Sequence, residues 1–161
     1  MSVRTGLGWD SHRLEPGRPL ILGGVELEHP EGLGLAGHSD ADVLTHAIMD
    51  ALLGAAGLDD IGAHFPDTDA RFKGADSIVL LEAVRDLVAE AGYAVENVDA
   101  TIVMERPKCG PRKHEMRDRL AAALGLAHGQ VNVKASTGEG IGFVGREEGV
   151  AALAVATLRE R

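Results

Sequence analysis

The stretch SDADVLTHAIMDALLGAAG, residues 39–57, predicts a helix with a start and a stop signal. Ser39 and Asp42 have the spacing of a capping box, with Asp in the position that Glu or Gln usually holds. Gly57 can end the helix in the left-handed conformation. An apolar stripe at helical spacing predicts that one face packs on a core. The stripe comprises Val43, Leu44, Ala47, Ile48, Ala51, Leu52 and Ala55.

The segments on either side of this helix predict an α/β domain. Two short apolar runs flank Gly23 and Gly24, which is a signal for a two-residue hairpin. Loops are predicted at 28–37, which is rich in glycine, and at 61–74. Further helices are predicted at 75–92 and 114–125, and strands at 4–10, 97–106 and 131–137. The segment 149–160 fits either a helix or a strand, and its run of Val, Ala and Leu favours a buried strand. This order predicts a single domain, 1–161, with a mixed β-sheet and helices packed on one face.

The composition limits the kinds of partner. The net charge of −9 argues against a general nucleic-acid or acidic-membrane binder. The single cysteine, Cys109, excludes an intrachain disulfide and fits a reducing, cytoplasmic setting. We expect neither a signal peptide nor a membrane span, because no apolar run approaches about 20 residues. The sheet of so short a chain would leave one face uncovered, so we also expect a homo-oligomer in which another copy covers that face.

A possible metal site begins with Asp10 and His12. They stand two residues apart at the end of the first predicted strand, so their side chains point to the same face. For an isolated Asp-x-His, a solvated strand end is the simpler interpretation. His46 adds a third possible ligand from the helix, where Asp42 and Asp50 at four-residue spacing could orient its second ring nitrogen. Two histidines and one carboxylate leave a coordination position open, as in catalytic rather than structural zinc sites.

Other polar residues could complete a binding site. His38 and Ser39 lie at the helix N-terminus, which favours anions. Two acidic turns either face solvent or offer carboxylates to the hydroxyl groups of a polyol. These turns comprise Asp60, Ile61, Gly62, Phe65, Pro66, Asp67, Thr68 and Asp69.

The segment VKASTGEGIGFVGREEG, residues 133–149, contains a formal G-x-G-x-x-G. The chain has no room after it for a βαβ unit, which excludes a Rossmann site. Its hydroxyls and free backbone N–H groups could bind phosphate, and Glu139 could hold a second, harder cation. The alternative is an ordinary glycine-rich hairpin.

The basic stretch MERPKCGPRK, residues 104–113, is stiffened by two prolines. It is either a solvated loop or a rigid rim that offers backbone groups to a base. Cys109 has no evident base beside it, so we expect no catalytic thiol.

Together and in this order, these stretches resemble the 2-C-methyl-D-erythritol 2,4-cyclodiphosphate synthase family. The resemblance is carried by GLGWDSHRL, HSDADVLTHAIMDALLGAAGLDDIG, FPDTD, FKGADS, NVDATIV, VNVKAST and GFVGREEG, which span nearly the whole chain. It implies a homotrimer with active sites between the subunits.

The resemblance also implies a role for each matching residue. Asp10, His12 and His46 fall on the positions of zinc ligands, and Glu139 on the ligand of a second divalent cation, Mg²⁺ or Mn²⁺. The positions that match phosphate-polarising groups are His38 and Thr137. The positions that match the methylerythritol phosphate pocket and further substrate contacts are Ser39, Asp50, Asp60, Ile61, Gly62, Phe65, Pro66, Asp67, Thr68, Asp69, Ser136, Phe143 and Arg146. The loop that matches the cytosine site of a neighbouring subunit comprises Met104, Glu105, Arg106, Pro107, Lys108, Cys109 and Gly110.

The implied reaction converts 4-diphosphocytidyl-2-C-methyl-D-erythritol 2-phosphate to 2-C-methyl-D-erythritol 2,4-cyclodiphosphate in the non-mevalonate isoprenoid pathway. An oxygen of the 2-phosphate attacks the β-phosphorus and CMP leaves, which is the chemistry of a phosphorus-oxygen lyase. Three alternatives stay open: a zinc hydrolase, a non-catalytic nucleotide-binding or isoprenoid-sensing protein, and a purely structural zinc site. A linear product would favour the hydrolase, and tight CMP binding without turnover would favour the non-catalytic protein. Unfolding of Asp10→Ala would favour the structural zinc site.

Overall fold

The computed structural model describes residues 2–161. The strands are β1 (Val3–Pro16), β2 (Leu20–Leu22), β3 (Val25–Leu27), β4 (Leu33–Leu35), β5 (Tyr93–Val103), β6 (Val131–Ser136) and β7 (Gly149–Glu160). The helices are α1 (Val43–Ala56), α2 (Ile61–His64), α3 (Ser77–Glu90), α4 (Arg112–Leu124) and α5 (Gly142–Gly145), with 3₁₀ turns at Ala70–Phe72 and His128–Gln130. In the part of the chain so described, no helix has the length and hydropathy needed to cross a bilayer.

Within residues 2–161, five strands form one mixed sheet in the order β4-β1-β7-β5-β6. β1 and β7 are long antiparallel partners, and β5 is also antiparallel to β7. β5 and β6 run parallel, and their last residues, Val103 and Ser136, stand opposite each other. The sheet is therefore mixed, as the order of strands and helices predicted.

Helix α1 lies directly on β1 because glycines replace side chains on that face of the strand. A Cβ atom at Gly8 would lie 1.7 Å from the carbonyl oxygen of Ala47, and one at Gly6 would lie 2.1 Å from that of Ala51. No side chain fits either gap, so backbone packs against backbone. Helix α3 packs in turn on α1 and β5, and α4 packs on α3 and β6.

The start of α1 differs from the predicted capping box. The N-cap is Asp42, whose Oδ1 accepts the backbone N–H of Thr45 at 3.0 Å. Ser39 lies too far upstream, because Ala41 has a left-handed backbone with φ of 58° and interrupts any helix before it. The end is as predicted, since Gly57 is the C-cap with φ of 73°.

Asp42 also joins α1 to the predicted hairpin, which is confirmed as β2 and β3. Its carboxylate accepts the backbone N–H groups of Gly23 and Gly24 at 2.9 and 2.8 Å. Both glycines have positive φ, of 58° and 74°, as a two-residue hairpin turn requires. The buried Asp42 carboxylate thus fixes a hairpin turn on the N-terminus of the central helix.

Two predicted loops contain regular structure. Part of the loop 28–37 forms β4, which extends the sheet by pairing with β1. The loop 61–74 contains α2, whose N-cap Asp60 accepts the N–H of Ala63 at 3.0 Å. Short elements between glycines and prolines give no periodic signal, so the pattern indicated only loops. Other boundaries differ as well: β1 continues to Pro16, beyond its predicted end at residue 10, and β5 runs from Tyr93 to Val103, where 97–106 was predicted.

The sheet face that points away from α1 exposes apolar side chains. Leu7, Trp9 and Val155 are 68%, 51% and 45% exposed. Leu7 stands opposite Val155, and Trp9 stands opposite Leu153, across β1 and β7. Because side chains alternate along a strand, these residues lie opposite the face on which α1 packs. The outer face therefore carries a contiguous apolar surface.

Candidate metal centre and neighbouring pockets

Three side chains from β1 and α1 converge at one point. Asp10 Oδ2 lies 2.8 Å from His12 Nε2 and 3.0 Å from His46 Nδ1, and the two histidine nitrogens are 3.3 Å apart. Asp10 and His12 share one face of the strand, and His46 reaches them from the helix. Among residues 2–161, this is the one group of three such side chains close enough to hold a single cation.

Hydrogen bonds of the two histidines leave lone pairs in the centre of this cluster. His12 Nδ1 donates to the carbonyl oxygen of Ala36 at 2.8 Å, so a neutral ring keeps its lone pair on Nε2. His46 Nε2 lies 2.9 Å from Ser77 Oγ, whose own proton goes to Asp40. His46 therefore donates through Nε2 and keeps its lone pair on Nδ1. Two lone pairs and a carboxylate oxygen then face one another, and this donor set fits a divalent cation such as zinc.

The cluster also attracts positive charge when no metal is bound. Burial alone would raise the pKa of Asp10, but hydrogen bonds from His12 and His46 outweigh it and lower that pKa to about 2. Desolvation opposes protonation of His12, yet the hydrogen bond and charge of Asp10 raise the pKa of His12. The carboxylate is ionised at neutral pH, and it favours a proton or a metal ion beside it.

The groups that hold His46 differ from the predicted ones. Asp42 caps α1, and Asp50 Oδ1 accepts the first backbone N–H of α2 at 2.9 Å. The prediction that these two carboxylates orient His46 is wrong, because both are engaged by backbone N–H groups. Two hydroxyls stand beside Nε2 instead, from Ser77 at 2.9 Å and Ser39 at 3.2 Å.

The cluster opens into a pocket of about 420 Å³, called the metal pocket below, and this size suits a small molecule. The structure brings many predicted positions into its lining: His38, Ser39, Ile61, Gly62, Phe65, Pro66 and Asp67. Further lining residues were not indicated by the sequence, and they are Gly37, Met49, Phe72 and Leu80. The pocket therefore combines a polar end at the candidate metal ligands with an apolar wall.

Other predicted positions lie beside this pocket and not in its lining, as far as residues 2–161 show: Asp50, Asp60, Thr68 and Asp69. Asp60 caps α2, while the Asp69 carboxylate pairs with Arg71 at 2.6 Å. The Asp69 backbone carbonyl accepts a hydrogen bond from His38 Nε2 at 2.9 Å. Asp60 thus holds the start of α2, and the Asp69 carbonyl holds the ring of His38, which lines the pocket.

A second pocket of about 380 Å³ lies where the parallel strands β5 and β6 end. It is lined by Met104, Pro107, Lys108, Cys109, Ala135, Ser136, Thr137 and Glu139. Thr137 Oγ1 accepts the N–H of Glu139 at 3.1 Å, which leaves the hydroxyl proton of Thr137 for a ligand. Within the described chain the two pockets share no lining residue, so one copy does not bring Glu139 into the metal pocket.

The remaining predicted positions lie outside both pocket linings in residues 2–161: Glu105, Arg106, Gly110, Phe143 and Arg146. Glu105 and Arg106 turn towards neighbouring loops. Phe143 lines a separate small pocket beside His12, and Arg146 pairs with Glu148 at 3.4 Å.

Arg18 is a residue that the sequence analysis missed. Its guanidinium donates to the carbonyl oxygens of Leu35 at 3.0 Å, Gly37 at 3.1 Å and Ser39 at 3.3 Å. It thereby holds the segment that carries His38 into the metal pocket. A single arginine after a strand carries no sequence signal for this role.

Comparison with known proteins agrees with the fold and the cluster. The model of the YgbB family matches residues 3–159, and the chain belongs to that family. The chain is 62% identical over 157 residues to a 2-C-methyl-D-erythritol 2,4-cyclodiphosphate synthase of Salinibacter ruber, covering 98% of this chain and 99% of that protein. It is also 62% identical over 156 residues to a bifunctional enzyme IspD/IspF of Anaeromyxobacter dehalogenans. That match covers 97% of this chain but 40% of the bifunctional protein, so the chain spans less than half of that relative.

A solved structure of a 2C-methyl-D-erythritol-2,4-cyclodiphosphate synthase in a CDP-bound form has the same fold. It is 39% identical, with a TM-score of 0.87, and the match covers 97% of this chain and 100% of that one. The resemblance found in the sequence motifs is thereby confirmed.

Proposed function

We propose that this chain converts 4-diphosphocytidyl-2-C-methyl-D-erythritol 2-phosphate to 2-C-methyl-D-erythritol 2,4-cyclodiphosphate and CMP, as a phosphorus-oxygen lyase of isoprenoid synthesis. The observation that carries the proposal is the convergence of Asp10, His12 and His46 in a pocket lined by the predicted substrate positions. The similarity to synthases of that name, one of them in a CDP-bound form, supports it.

Two cations belong to the proposal. Asp10, His12 and His46 would hold zinc, which accepts histidine nitrogen and carboxylate oxygen as ligands, and Glu139 would hold Mg²⁺ or Mn²⁺. When bound, such cations withdraw charge from phosphate oxygens and offset their mutual repulsion. They would allow a chain with a net charge of −9 to bind a polyanion.

The side chains of the metal pocket supply orientation. Ser39 and Asp67 line it and can bind the hydroxyl groups of the polyol. The Nε2–H of His38 is used by the carbonyl of Asp69, so its Nδ1 can donate to a phosphate oxygen only when the ring is protonated. The free hydroxyl proton of Thr137 is a second donor for phosphate.

The reaction needs no protein nucleophile. A P–O bond forms between the 2-phosphate oxygen and the β-phosphorus, the bond from that phosphorus to CMP breaks, and CMP leaves with the bonding electron pair. Positioning of the two phosphates in line and stabilisation of their charge supply most of the catalysis in such transfers.

We further propose a homotrimer with each active site formed between two copies. The separation of the metal pocket from the pocket that carries Glu139 and the loop 104–110 supports a site that uses both from different copies. The exposed apolar surface around Leu7, Trp9 and Val155 supports burial against another copy. We also propose that residues 1–161 form one domain, and that it works in the cytoplasm with Cys109 as a free thiol.

Phosphorus NMR of the purified chain with zinc, magnesium and the cytidine diphosphate substrate tests the proposed activity. We expect the substrate resonances to be replaced by those of the cyclic diphosphate and CMP. An unchanged spectrum with folded, metal-loaded protein would overturn the proposal, and a linear product would identify a hydrolase.

Asp10→Asn should abolish this conversion without unfolding the chain, because Asp10 is partly exposed and the change is isosteric. Asp118→Asn is the matched control, since Asp118 also pairs with a histidine, His128, but on the surface. Unfolding of Asp10→Asn alone, seen by circular dichroism, would indicate a structural metal site.

A further inference from the structure

The loop of residues 104–110 is fixed by two charged side chains that do not line its pocket. The loop connects β5 to α4 and contains a cis peptide bond between Arg106 and Pro107. Glu105 and Arg106 leave the loop in different directions and bind two other segments. Their contacts decide where the backbone groups of the loop lie.

Arg106 joins three segments that are distant in sequence. Its Nε lies 2.6 Å from Glu147 Oε1, and its Nη2 lies 2.9 Å from Glu147 Oε2, so both oxygens of one carboxylate are bound. The same Nη2 is 3.2 Å from Glu31 Oε2, in the loop between β3 and β4. A planar guanidinium with two parallel bonds to one carboxylate fixes direction as well as distance.

Glu147 is held in place at some cost in free energy. Its backbone is left-handed, with φ of 57°, which is unfavourable for a residue other than glycine. Oε1 of Glu147 also lies 3.9 Å from Nε2 of His29, whose side chain is 0% exposed. His29 Nδ1 accepts the N–H of Glu31, so its proton is on Nε2, and this nitrogen has no hydrogen-bond partner among the described residues. The Glu147 carboxylate that Arg106 binds therefore stands on an unfavourable backbone conformation and beside a buried, unpaired imidazole N–H.

Glu105 links the same loop to the loop after β6. Its carboxylate accepts the backbone N–H of Gly138, and the N–H of Met104 donates to the carbonyl of Ser136 at 2.9 Å. A Cβ atom at Gly138 would lie 2.9 Å from Gly145 N and 3.0 Å from the Glu105 carboxylate, so glycine is required for this approach. The loop 104–110 is therefore tied on one side to Gly138 and on the other to Glu147.

We propose that Arg106 is a positioning residue for the nucleotide, acting through Glu147 and Glu31 to hold the loop 104–110 in its binding conformation. The inference rests on the proposed function, because it takes this loop as the site of the cytidine group. Arg106 itself does not line the pocket, so it acts by ordering backbone groups before the ligand arrives. Ordering a loop in advance lowers the entropic cost of binding.

Calorimetric titration of the full chain with CDP tests this role. Arg106→Met should weaken CDP binding about tenfold, and Glu147→Gln should do the same, since either change frees the loop. The double variant should bind no more weakly than Arg106→Met alone, because the Glu147 change removes an interaction that Arg106→Met has already lost. Arg106→Lys should weaken CDP binding less than Arg106→Met does, because lysine keeps the positive charge but cannot form the bidentate contact. In steady-state assays KM should rise while kcat stays nearly unchanged.

Arg159→Met is the matched control. Arg159 pairs with Glu96 through Nε at 2.9 Å and is similarly exposed, but it lies away from the loop. It should bind CDP as the native chain does. If the native chain fails to bind CDP, the proposed function is wrong. If the native chain binds and the double variant Glu31→Gln/Glu147→Gln binds equally well, the role of Arg106 is refuted, and this variant decides the matter even if Arg106→Met unfolds.

Discussion

The imidazole of His46 is fixed between two kinds of partner. Its Nδ1 faces Asp10 and His12, while its Nε2 meets the hydroxyl of Ser77 at 2.9 Å. Ser77 in turn donates to Asp40 and is wholly buried. A hydrogen bond to the outer nitrogen of a ligand histidine sets its tautomer and its ring orientation. Ser77, with Ser39 beside it, thus keeps the Nδ1 lone pair of His46 towards Asp10 and His12, where a cation could bind.

Ser77→Ala should weaken zinc binding by about 10- to 100-fold, the usual effect of removing such a supporting hydrogen bond. Competition with a chelating dye measures the affinity, and thermal unfolding of the metal-free chain separates any loss of stability. Ser2→Ala, at an exposed serine, serves as the control. Unchanged zinc affinity in folded Ser77→Ala would show that Ser39 alone orients the ring.

Cys109 gives a prediction about pH. Burial raises the pKa of the Cys109 thiol, although Lys113 opposes the shift. The thiolate is the reactive form, so the rate of reaction with a disulfide reagent at pH 8 should be about tenfold or more below that of the unfolded chain. The rate should rise as the pH approaches the raised pKa. Equal rates for the folded and the unfolded chain at pH 8 would contradict a buried thiol in this loop.

At the scale of elements, α1 and β1 are in direct backbone contact at Gly6 and Gly8. The strand offers no Cβ where the helix backbone crosses, and the next residues on the same strand face are Asp10 and His12. The contact that builds the core also sets the distance between the ligands of the strand and His46 of the helix.

Gly8→Ala should destabilise the chain by more than about 3 kcal/mol, because the added methyl group meets the carbonyl of Ala47 and neither backbone can move away easily. Gly54→Ala is the control, in the helix α1 that Gly8 contacts. A Cβ there meets nothing within 4 Å among the described residues, so the change should stabilise by about 0.5–1 kcal/mol. Urea unfolding measures both, and a stable Gly8→Ala variant would contradict the close packing.

Periodic elements could be predicted from the sequence and short ones could not. Helix α1 and strand β7 have long apolar patterns, and both are found near their predicted bounds. β4 and α2 are too short to show a period, and only their tertiary partners define them. At the metal site, Asp10 and His12 are visible from their spacing. The contact of Ser77 with His46 could not be predicted, because the two residues are 31 positions apart in the sequence and only the fold brings them together.

The outer face of the sheet bears on the whole molecule. Apolar side chains on β1 and β7 are exposed there, and in a monomer their contact with water contributes no hydrophobic stabilisation. The proposed trimer would bury this face and bring the two pockets of different copies together. The same surface would then serve both stability and catalysis.

Val155→Asp should convert the proposed trimer to a monomer and abolish activity. Burial of the aspartate carboxylate in the interface would be unfavourable, because a charge that leaves water needs an opposite charge to pair with it. Val79→Asp is the matched control, because Val79 is 60% exposed but lies near the N-terminus of α3. Analytical ultracentrifugation should find the native chain and Val79→Asp at three times the monomer mass. A native chain that sediments as a monomer would refute the assembly.

The parallel pairing of β5 and β6 has a consequence for how such a protein can be altered. Val103 and Ser136 end the two strands side by side, so the loops that follow them leave the sheet at one edge and form one pocket. The paired ends of β5 and β6 form a fixed base to which the two loops are attached side by side. An exchange of these loops would have to move residues 104–110 and 137–141 as a set, because Glu105 binds Gly138. It would also have to include Glu31 and Glu147, which hold Arg106. In the proposed function, this edge would carry the selectivity for the base, apart from the candidate metal cluster of β1 and α1.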